Sequence, residues 1–514
     1  ARTRYFDDIA SGESMTPISV LLTSDGTYPC YTGGVSVWCD QLIRQLPDVK
    51  FDVFAIAYSP SHVPLFKRPP NVVSQCVLPL WGTEEPGPQQ EDFIPNLVRK
   101  ICTTPQNIRS GFLDPFQACL RAVLRPNSRP EEMAEALLGL HTYFRDFDFA
   151  RTVSSQTAWD AFLRVCRDAY PSHDQPTLEE ATTCMRWLQR YLAICAVRFP
   201  ETEVVHASMA GLAGVPGVIQ KQVAGSRFLL TEHGIYLREL YMSLNRMKQG
   251  IRCRRFLFAW NEAIARMNYH FADSVSSLCE FNRQWQLRVG AVAEKIHIIP
   301  NGIDPTVFSP SPSSKGARGD DSALTVLTMA RIYPLKGIDH LLRAARQVVD
   351  RLPSVRFRIL GEVGDASYHR SCLDLVEELN LGANIEWGFT SDAASAYKEA
   401  DIFCLPSISE AMPYCALEAM FSGCPVVATD VGGVSDMLAR TGLLTPPRDA
   451  DSMAKAILSL LEGEGAAEYR KDLAAKAIVR ARSLYTIEKC SDRFRETYAE
   501  LSRIPRTTRL FAAR

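Results

Sequence analysis

Residues 402–430 read IFCLPSISEAMPYCALEAMFSGCPVVATD, and this stretch decides the fold. It predicts an apolar strand at Ile402–Leu405, a polar loop, a helix at Ala416–Ser422 and a second apolar strand at Pro425–Ala428. A strand, a helix and another strand in close succession form the repeating unit of a parallel sheet. Such sheets bind ligands at the carboxyl ends of their strands, which is where the polar loop would lie.

The same alternation begins upstream, near residue 324. Strands and helices follow one another in the order strand Leu324–Met329, helix Gly337–Leu352, strand Arg356–Leu360, helix Tyr368–Leu379, strand Ile385–Trp387 and helix Ala393–Glu399. This rhythm predicts an α/β, doubly wound, Rossmann-like domain.

The first half of the chain has a similar pattern, interrupted by a helical insertion at about residues 91–200. A helix is predicted at Val35–Leu46, and strands are predicted at Pro17–Thr23, Phe51–Ala57, Glu203–His206, Phe228–Glu232, Phe271–Asp273 and Lys295–Pro300. The Ser/Pro/Gly-rich residues 309–321 mark a change of composition after Asn301. We therefore predict one domain over residues 1–300 and a second over residues 301–486.

Length and composition narrow the classes of protein. A chain of 514 residues is too long for one hydrophobic core. Apolar residues make up 46% and charged residues 22%, which is ordinary for a globular protein. The formal charge of -1 gives no general attraction to nucleic acid, so no nucleic-acid partner is expected.

The 15 cysteines lie in apolar stretches without metal-ligand spacing, so we expect buried free thiols and a reducing, cytosolic location. No apolar run reaches the roughly 18 residues of a membrane span, and the N-terminus lacks a signal-peptide pattern. Because the sequence begins at Ala1, a cytosolic domain of a larger membrane protein is an alternative to a separate soluble protein.

Two glutamates eight positions apart carry the strongest functional signal, Glu410 in the loop and Glu418 inside the helix. The backbone amides of Tyr414 and Cys415 open this helix without intrahelical partners, so they can hold a diphosphate. A carboxylate within the helix can accept ribose hydroxyls, and one in the loop can accept sugar hydroxyls. We assign Glu418 to the ribose of a nucleotide, and Glu410, with Met412 nearby, to a transferred sugar.

Arg331 and Lys336 follow the first strand of the second half, where both can meet a pyrophosphate. A leaving nucleoside diphosphate develops negative charge, which two fixed cations can stabilise in place of a divalent metal. We find no Asp-x-Asp motif in a loop suited to such a metal, so neither a metal nor a cofactor is expected. The alternative is that both are solvated cations at the start of a helix.

Gly33 and Gly34 follow the first strand, and glycine lets a backbone approach a bound phosphate closely. A simple turn is the alternative. His206 and His233 stand at later strand ends, where a histidine either bonds to the neighbouring backbone or donates to a substrate oxygen. His233 is the stronger candidate. The adjacent Glu232 faces the opposite way in a strand, so only one of the two can point into a cleft.

A basic stretch from Arg238 to Arg255, which includes Arg246, lies within a helix-compatible run from Tyr236 to Tyr269. A solvated helix face is the favoured interpretation, and contact with an anionic surface or a membrane partner is the alternative.

These residues resemble family 4 of the retaining glycosyltransferases, whose signature is the E-x7-E segment at Glu410 and Glu418 together with Arg331 and Lys336. The first half is similar to the PelF-type enzymes of Pel exopolysaccharide synthesis. That similarity rests on Asp25-Gly-Thr-Tyr-Pro29, Gly33-Gly-Val-Ser36, Thr231-Glu-His-Gly-Ile-Tyr236 and Ile299-Pro-Asn-Gly-Ile-Asp304. A fungal relative in galactosamine-polymer synthesis would have much the same sequence motifs.

The resemblance implies a GT-B fold, in which two Rossmann-like domains face each other across a cleft and a C-terminal helix, within residues 487–514, crosses back to the first. It implies a UDP-sugar donor, a hexose or N-acetylhexosamine transferred with retention, and an oligosaccharide or polysaccharide acceptor. His233 matches a family histidine near the donor sugar. It further implies a cytoplasmic location at the inner face of the membrane, with membrane-embedded synthesis and export partners.

The sequence departs from the family pattern beside the first glutamate. The usual glycine is Ala411 here, and Met412 and Tyr414 replace the residues common in Pel-type loops. These differences leave the donor sugar open. They also suggest an alternative function, a catalytically silent subunit that binds a UDP-sugar and regulates a synthesis complex. An epimerase or phosphorylase is a third interpretation, but no lysine stands in a recognisable pyridoxal setting.

Overall fold

The structure of the protein is a computed structural model that describes residues 17–61, 63–83, 93–244, 247–310 and 323–506. Several predicted features fall partly outside the described residues. They are the first 16 residues of the first domain, the start of the helical insertion, Arg246 of the basic stretch, residues 311–321 of the predicted linker and residues 507–514 of the C-terminal segment.

The first half of the chain forms a seven-stranded parallel sheet with the strand order β3-β2-β1-β4-β5-β6-β7. Its strands are β1 (Ser19–Asp25), β2 (Lys50–Ala57), β3 (Val72–Pro79), β4 (Val204–Ala207), β5 (Arg227–Glu232), β6 (Ser274–Ser277) and β7 (Ile296–Ile298). Strand β3 was not predicted. It is an edge strand with only three buried residues, so the sequence lacks a continuous apolar run there.

The strand predicted at Phe271–Asp273 is wrong, because Phe271 is the last residue of a helix and β6 begins at Ser274. The carboxylate of Asp273 accepts the backbone N–H of Phe228 at 2.8 Å and pairs with Lys221 Nζ at 2.7 Å. Strand β6 consists of Ser-Val-Ser-Ser, which has too few apolar residues to be recognised by hydropathy.

The helices of the first half lie around this sheet. They are α1 (Gly34–Gln45), α2 (Phe93–Cys102), α3 (Pro105–Asn107), α4 (Leu113–Leu124), α5 (Pro130–Phe144), α6 (Phe149–Val153), α7 (Gln156–Ala169), α8 (Leu178–Tyr191), α9 (Val215–Val223), α10 (Tyr236–Leu244), α11 (Ile251–Phe271) and α12 (Glu280–Val289). Helices α2–α8 form the predicted helical insertion, and α8 begins with a capping box between Thr177 and Glu180.

The run from Tyr236 to Tyr269 is two helices rather than one, because α10 ends at Leu244 and α11 begins after Gly250. Helix α11 packs Phe256 and Trp260 into the same buried cluster as Leu137 of α5. The insertion therefore shares a hydrophobic core with the helices that cover the first sheet.

The second half forms a six-stranded parallel sheet with the order β10-β9-β8-β11-β12-β13. Its strands are β8 (Thr325–Met329), β9 (Arg356–Leu360), β10 (Ile385–Gly388), β11 (Ile402–Leu405), β12 (Val426–Thr429) and β13 (Leu443–Thr445). The surrounding helices are α13 (Ile338–Arg351), α14 (Ala366–Glu378), α15 (Ala393–Glu399), α16 (Tyr414–Phe421), α17 (Val434–Leu438), α18 (Ala450–Leu461) and α19 (Ala466–Leu484). The α/β alternation predicted from residue 324 onward is confirmed.

The last helix, α20 (Ile487–Arg503), returns to the first sheet. Its Phe494 and Tyr498 are fully buried and share a hydrophobic cluster with Trp38 of α1 and Val204 of β4. The chain crosses beside Gly302, where a Cβ atom would lie 2.6 Å from the Cα of Ile487. The two halves of the chain are therefore joined by tight backbone packing as well as by α20.

The 15 cysteines all lie in the described part of the chain, where none forms a disulfide, and all except Cys76, Cys102 and Cys415 are buried, as predicted. Within the described ranges, no helix is long and apolar enough to cross a membrane.

Candidate active site

The carboxyl ends of the two sheets meet across a cleft. A Cβ atom on Gly34, at the start of α1, would lie 3.4 Å from the ring of Tyr414, at the start of α16. Arg238 of α10 donates to Ser409 Oγ at 2.6 Å, and Asn301 Nδ2 donates to the carbonyl of Met412 at 3.0 Å. The loop that carries Glu410 is therefore held by the first half of the chain as well as the second.

Lys336 and Glu410 form the central ion pair of this cleft. Lys336 Nζ lies 2.6 Å from Glu410 Oε1, which also accepts a hydrogen bond from Ser407 Oγ at 2.7 Å. Burial alone would lower the pKa of Lys336, but the charge and hydrogen bond of Glu410 outweigh it, so that pKa is raised. The ammonium group is thus fixed and charged at neutral pH.

Local backbone geometry brings this pair together. Lys336 ends a short 3-10 turn, and Gly337 follows with φ +62° before α13 begins. A Cβ atom on Gly337 would overlap the carbonyl oxygen of Pro406, so the loop after β8 can lie directly on the loop after β11. The amide of Ile408 donates to the carbonyl of Leu335 at 2.8 Å and fixes this contact.

Glu418 lies one turn into α16, and its Oε2 accepts a hydrogen bond from the buried Tyr397 hydroxyl at 2.9 Å. Burial raises the pKa of Glu418 to about 6, although the bond from Tyr397 acts in the opposite direction. Tyr397 of α15 therefore orients the carboxylate of Glu418. The sequence around Glu418 did not indicate that Tyr397 would be its partner.

The N-terminus of α16 is preceded by Pro413 and has no side-chain cap. The amides of Tyr414 and Cys415 are among those that no earlier turn can satisfy. Met412 is buried in the core, so its side chain packs against apolar neighbours and its carbonyl accepts from Asn301. Tyr414 likewise packs its ring beside Gly34, which leaves the backbone of this turn as the part that can face a ligand.

Arg331 is exposed, and its side chain covers Gly364, where a Cβ atom would lie 2.5 Å from Arg331 Nε. Among the residues that the structure describes, no hydrogen bond or ion pair engages its guanidinium group. Arg331 follows β8, as Lys336 does, so both belong to the same edge of the second sheet.

His233 follows β5 and is partly exposed at the cleft. Its ring packs edge-on against Trp38 of α1, with centroids 4.5 Å apart, and its Nε2 atom has no hydrogen-bond partner within the described part of the chain. Burial lowers the pKa of His233 to about 3, so the imidazole is neutral. Gly33 precedes α1, and a Cβ atom placed on it would have no other atom within 4 Å.

His206 and Glu232 serve the fold. His206 is fully buried, and its Nδ1 and Nε2 atoms contact the hydroxyls of Tyr498 at 2.6 Å and Thr231 at 2.7 Å. Glu232 is also buried and accepts hydrogen bonds from the Tyr236 amide and the Tyr269 hydroxyl. Of the two adjacent residues at the end of β5, His233 is the one with a ring nitrogen, Nε2, that has no hydrogen-bond partner among the described residues.

The basic stretch is not simply a solvated face, so that prediction is wrong for Arg238 and Arg252. Arg238 lies over the rings of Phe281 and Trp285, at 5.5 and 5.8 Å from their centroids, while it donates to Ser409. Arg252 pairs with Asp174 at 3.0 Å. Helical periodicity could not reveal these partners, which come from distant parts of the chain.

Glu239 is a site residue that the sequence pattern did not indicate. It lies one turn along α10, and burial raises its pKa, as does the nearby charge of Glu410, whereas Lys336 acts to lower it. The first half of the chain therefore contributes a carboxylate that interacts electrostatically with the Lys336–Glu410 pair.

No group of three or more His, Cys, Asp or Glu side chains within the described ranges could hold a metal ion. Two Asp-x-Asp sequences occur among these residues, at 146–148 and 449–451. In each, one aspartate caps a helix, because Asp148 accepts the amide of Arg151 and Asp449 accepts that of Ser452.

Two family models match the chain. Residues 18–294 match the family described as "Domain of unknown function (DUF3492)", and residues 314–480 match "Glycosyl transferases group 1". The second match spans the sheet that carries Arg331, Lys336, Glu410 and Glu418.

Curated relatives align with the second half. The chain is 31% identical over 195 residues to a D-inositol 3-phosphate glycosyltransferase of Kribbella flavida, covering 35% of this chain and 46% of the relative. It is 31% identical over 181 residues to the putative colanic acid biosynthesis glycosyltransferase WcaL of Escherichia coli, covering 33% and 43%. The chain thus spans less than half the length of each relative.

Solved structures align over nearly the whole chain. Sucrose-phosphate synthase from Thermosynechococcus elongatus superposes with a TM-score of 0.61 at 19% identity, covering 94% of this chain and 99% of the other. Anabaena Alr3699/HepE in complex with UDP superposes with a TM-score of 0.58 at 16% identity, covering 94% and 100%. These likenesses, with the two parallel Rossmann-like sheets, establish the GT-B fold.

Proposed function

The chain belongs to the DUF3492 family, and from this premise and its group 1 glycosyl transferase half we propose that it is a UDP-sugar-dependent glycosyltransferase. The proposed reaction moves a hexose or N-acetylhexosamine, with retention of configuration, to a growing exopolysaccharide. The naming of WcaL as a colanic acid biosynthesis enzyme and the UDP bound to HepE support this choice of acceptor and donor.

One observation carries the proposal. The Lys336–Glu410 ion pair lies beside an uncapped helix N-terminus, and Glu418 follows one turn into that helix. Exposed amides and a fixed ammonium group suit a diphosphate, whereas the two carboxylates suit hydroxyl groups. These groups therefore match the ribose, the diphosphate and the sugar of a nucleoside diphosphate sugar.

We assign the roles accordingly. Glu418 accepts the ribose hydroxyls, the amides of Tyr414 and Cys415 hold the diphosphate, and Glu410 accepts hydroxyls of the donor sugar. Lys336 and Arg331 stabilise the charge that develops on the leaving UDP, which is the work a divalent metal performs in other enzymes.

Retention follows when the acceptor attacks from the side that UDP leaves. The bond between the anomeric carbon and the diphosphate oxygen breaks, the bond to the acceptor oxygen forms, and the acceptor proton passes to the departing diphosphate. We assign to His233, which is neutral and whose buried Nε2 has no partner within the described ranges, a hydrogen bond to the donor sugar during this step.

The proposal is tested by UDP release from a panel of UDP-hexoses and UDP-N-acetylhexosamines. We expect Glu410→Gln and Lys336→Met each to lower kcat by about 10²-fold, because each removes a preorganised group near the developing charge. Asp472→Asn, in an exposed pair with Lys476 on α19, is the matched control and should retain full activity.

EDTA should leave the rate unchanged, and loss of activity on chelation would contradict the metal-free assignment. If the protein binds UDP but releases none from any UDP-sugar, even when neutral tetrasaccharides are added as acceptors, the silent regulatory subunit suggested by Ala411 is favoured.

A further inference from the structure

Asp25 is the last residue of β1 and lies at the carboxyl edge of the first sheet, with a half-buried side chain. Among the described residues, no hydrogen bond or ion pair engages its carboxylate. Desolvation raises the pKa of Asp25 to about 7. A partly desolvated carboxylate without a protein partner is a candidate ligand contact.

Four tyrosines are within reach of the charge of this carboxylate: Tyr31, Tyr58, Tyr191 and Tyr236. Burial raises the pKa of all four phenols, and the charge of Asp25 raises each of them further. The Tyr58 ring lies on Gly26, where a Cβ atom would come within 3.1 Å of it, and it meets Tyr31 edge-on at 5.9 Å. Tyr58 is nevertheless 56% exposed, so its ring is available to a ligand.

The topology of the sheet explains this cluster. Asp25 ends β1, Tyr58 follows β2 and Tyr236 follows β5, so all three lie at the carboxyl edge of one parallel sheet. Glu239 lies one turn along α10 from Tyr236, and its charge interacts with those of Lys336 and Glu410. Glu239 also raises the pKa of Tyr236, so it is coupled electrostatically to both groups of residues.

A carboxylate among aromatic rings has the chemistry of a sugar site, because the carboxylate accepts hydroxyl hydrogen bonds and the rings cover the apolar face of a pyranose. We propose that Asp25 and its four tyrosines form the subsite for the terminal sugar of the acceptor, a neutral pyranose whose hydroxyls donate to Asp25. This inference rests on the proposed function and deepens it.

The test uses neutral tetrasaccharides of glucose, galactose, N-acetylglucosamine and N-acetylgalactosamine as probes, in the presence of saturating UDP. Saturation-transfer NMR reports their binding, and calorimetry reports the Kd for UDP. We expect the wild-type protein to bind at least one probe. Asp25→Asn and Tyr58→Ala should weaken that binding about tenfold or more, since each removes a contact to the sugar, and leave the Kd for UDP within about twofold.

Two variants serve as matched controls. Asp52→Asn changes a carboxylate on the neighbouring strand β2 that is bonded to Ser74, and Tyr469→Ala removes an exposed ring on α19. Both should bind the probes as the wild-type protein does.

The outcomes separate the two proposals. If no probe binds the wild-type protein, or if Asp25→Asn binds as tightly as wild type, the subsite is overturned even where UDP is released normally. If the probes bind and depend on Asp25 but no donor is turned over, the subsite stands and the transferase proposal fails.

Discussion

The carboxylates of Glu410 and Glu418 have different hydrogen-bond partners. Glu410 Oε1 accepts hydrogen bonds from both Lys336 Nζ and Ser407 Oγ. Glu418 accepts one from the Tyr397 phenol, and burial raises the pKa of Glu418 to about 6. Two glutamates that look equivalent in the sequence thus have different partners in the fold.

The raised pKa of Glu418 predicts a pH effect on donor binding. Ribose hydroxyls donate to the ionised form of Glu418, so affinity should be constant above about pH 7 and fall as the pH decreases through about 6, approaching tenfold per pH unit below it. UDP-glucose is the suitable probe, because the terminal phosphate of UDP itself titrates near pH 6.

Glu418→Gln provides the comparison. It should bind UDP-glucose more weakly than wild type at pH 8 and lose the dependence near pH 6. A titration in which the variant keeps the wild-type pH profile would show that another group is responsible.

At the scale of elements, the active-site loops depend on close backbone approach. Gly337 combines a positive φ of 62° with contact to the carbonyl of Pro406, and this contact sets Lys336 opposite Glu410. Helix α13 begins at the next residue, so its start and the ion pair are fixed by one glycine.

Gly337→Ala should therefore destabilise the protein by about 1 kcal/mol from the strained φ alone, and by more because the added methyl overlaps Pro406. Turnover should fall along with the Tm, because Lys336 is displaced. Gly382→Ala is the control, since open space surrounds that glycine and its φ is ordinary. Equal thermal unfolding curves and equal rates for the two variants would refute this account of the loop.

At the scale of the whole molecule, α20 ties the end of the chain to the first sheet. Tyr498 packs against Phe51 and contacts His206 Nδ1 through its hydroxyl, while Phe494 packs against Trp38. His206 is thus a structural residue of the first sheet whose partner lies 292 positions later.

Tyr498→Phe removes this hydrogen bond and leaves a buried ring nitrogen unpaired, at an expected cost of about 1–3 kcal/mol in the free energy of unfolding. Urea denaturation measures the loss. Tyr469→Phe, at an exposed tyrosine of α19, should have no measurable effect. If both variants unfolded at the wild-type urea concentration, the contact between α20 and His206 would contribute nothing to stability.

The sequence by itself determined the features that depend on local order. Alternating apolar strands and amphipathic helices specify a parallel sheet, and the spacing of Glu410 and Glu418 puts one carboxylate in a loop and the other one turn into a helix. The Lys336–Glu410 contact was within reach of the same reasoning, because both residues follow strands whose carboxyl ends share one edge.

Only the tertiary structure decided which side chains meet across long separations in the chain. Three pairings join separate elements: Tyr397 with Glu418, Arg238 with Ser409, and Tyr58 with Gly26 beside Asp25. No periodic pattern in the sequence predicts such pairings. The choice between His206 and His233 belongs here too. Both end strands of one sheet, but the hydroxyl of Tyr498 on α20 is a partner for the first, whereas Nε2 of the second has none within the described part of the chain, because hydrogen bonding is a property of the assembled fold.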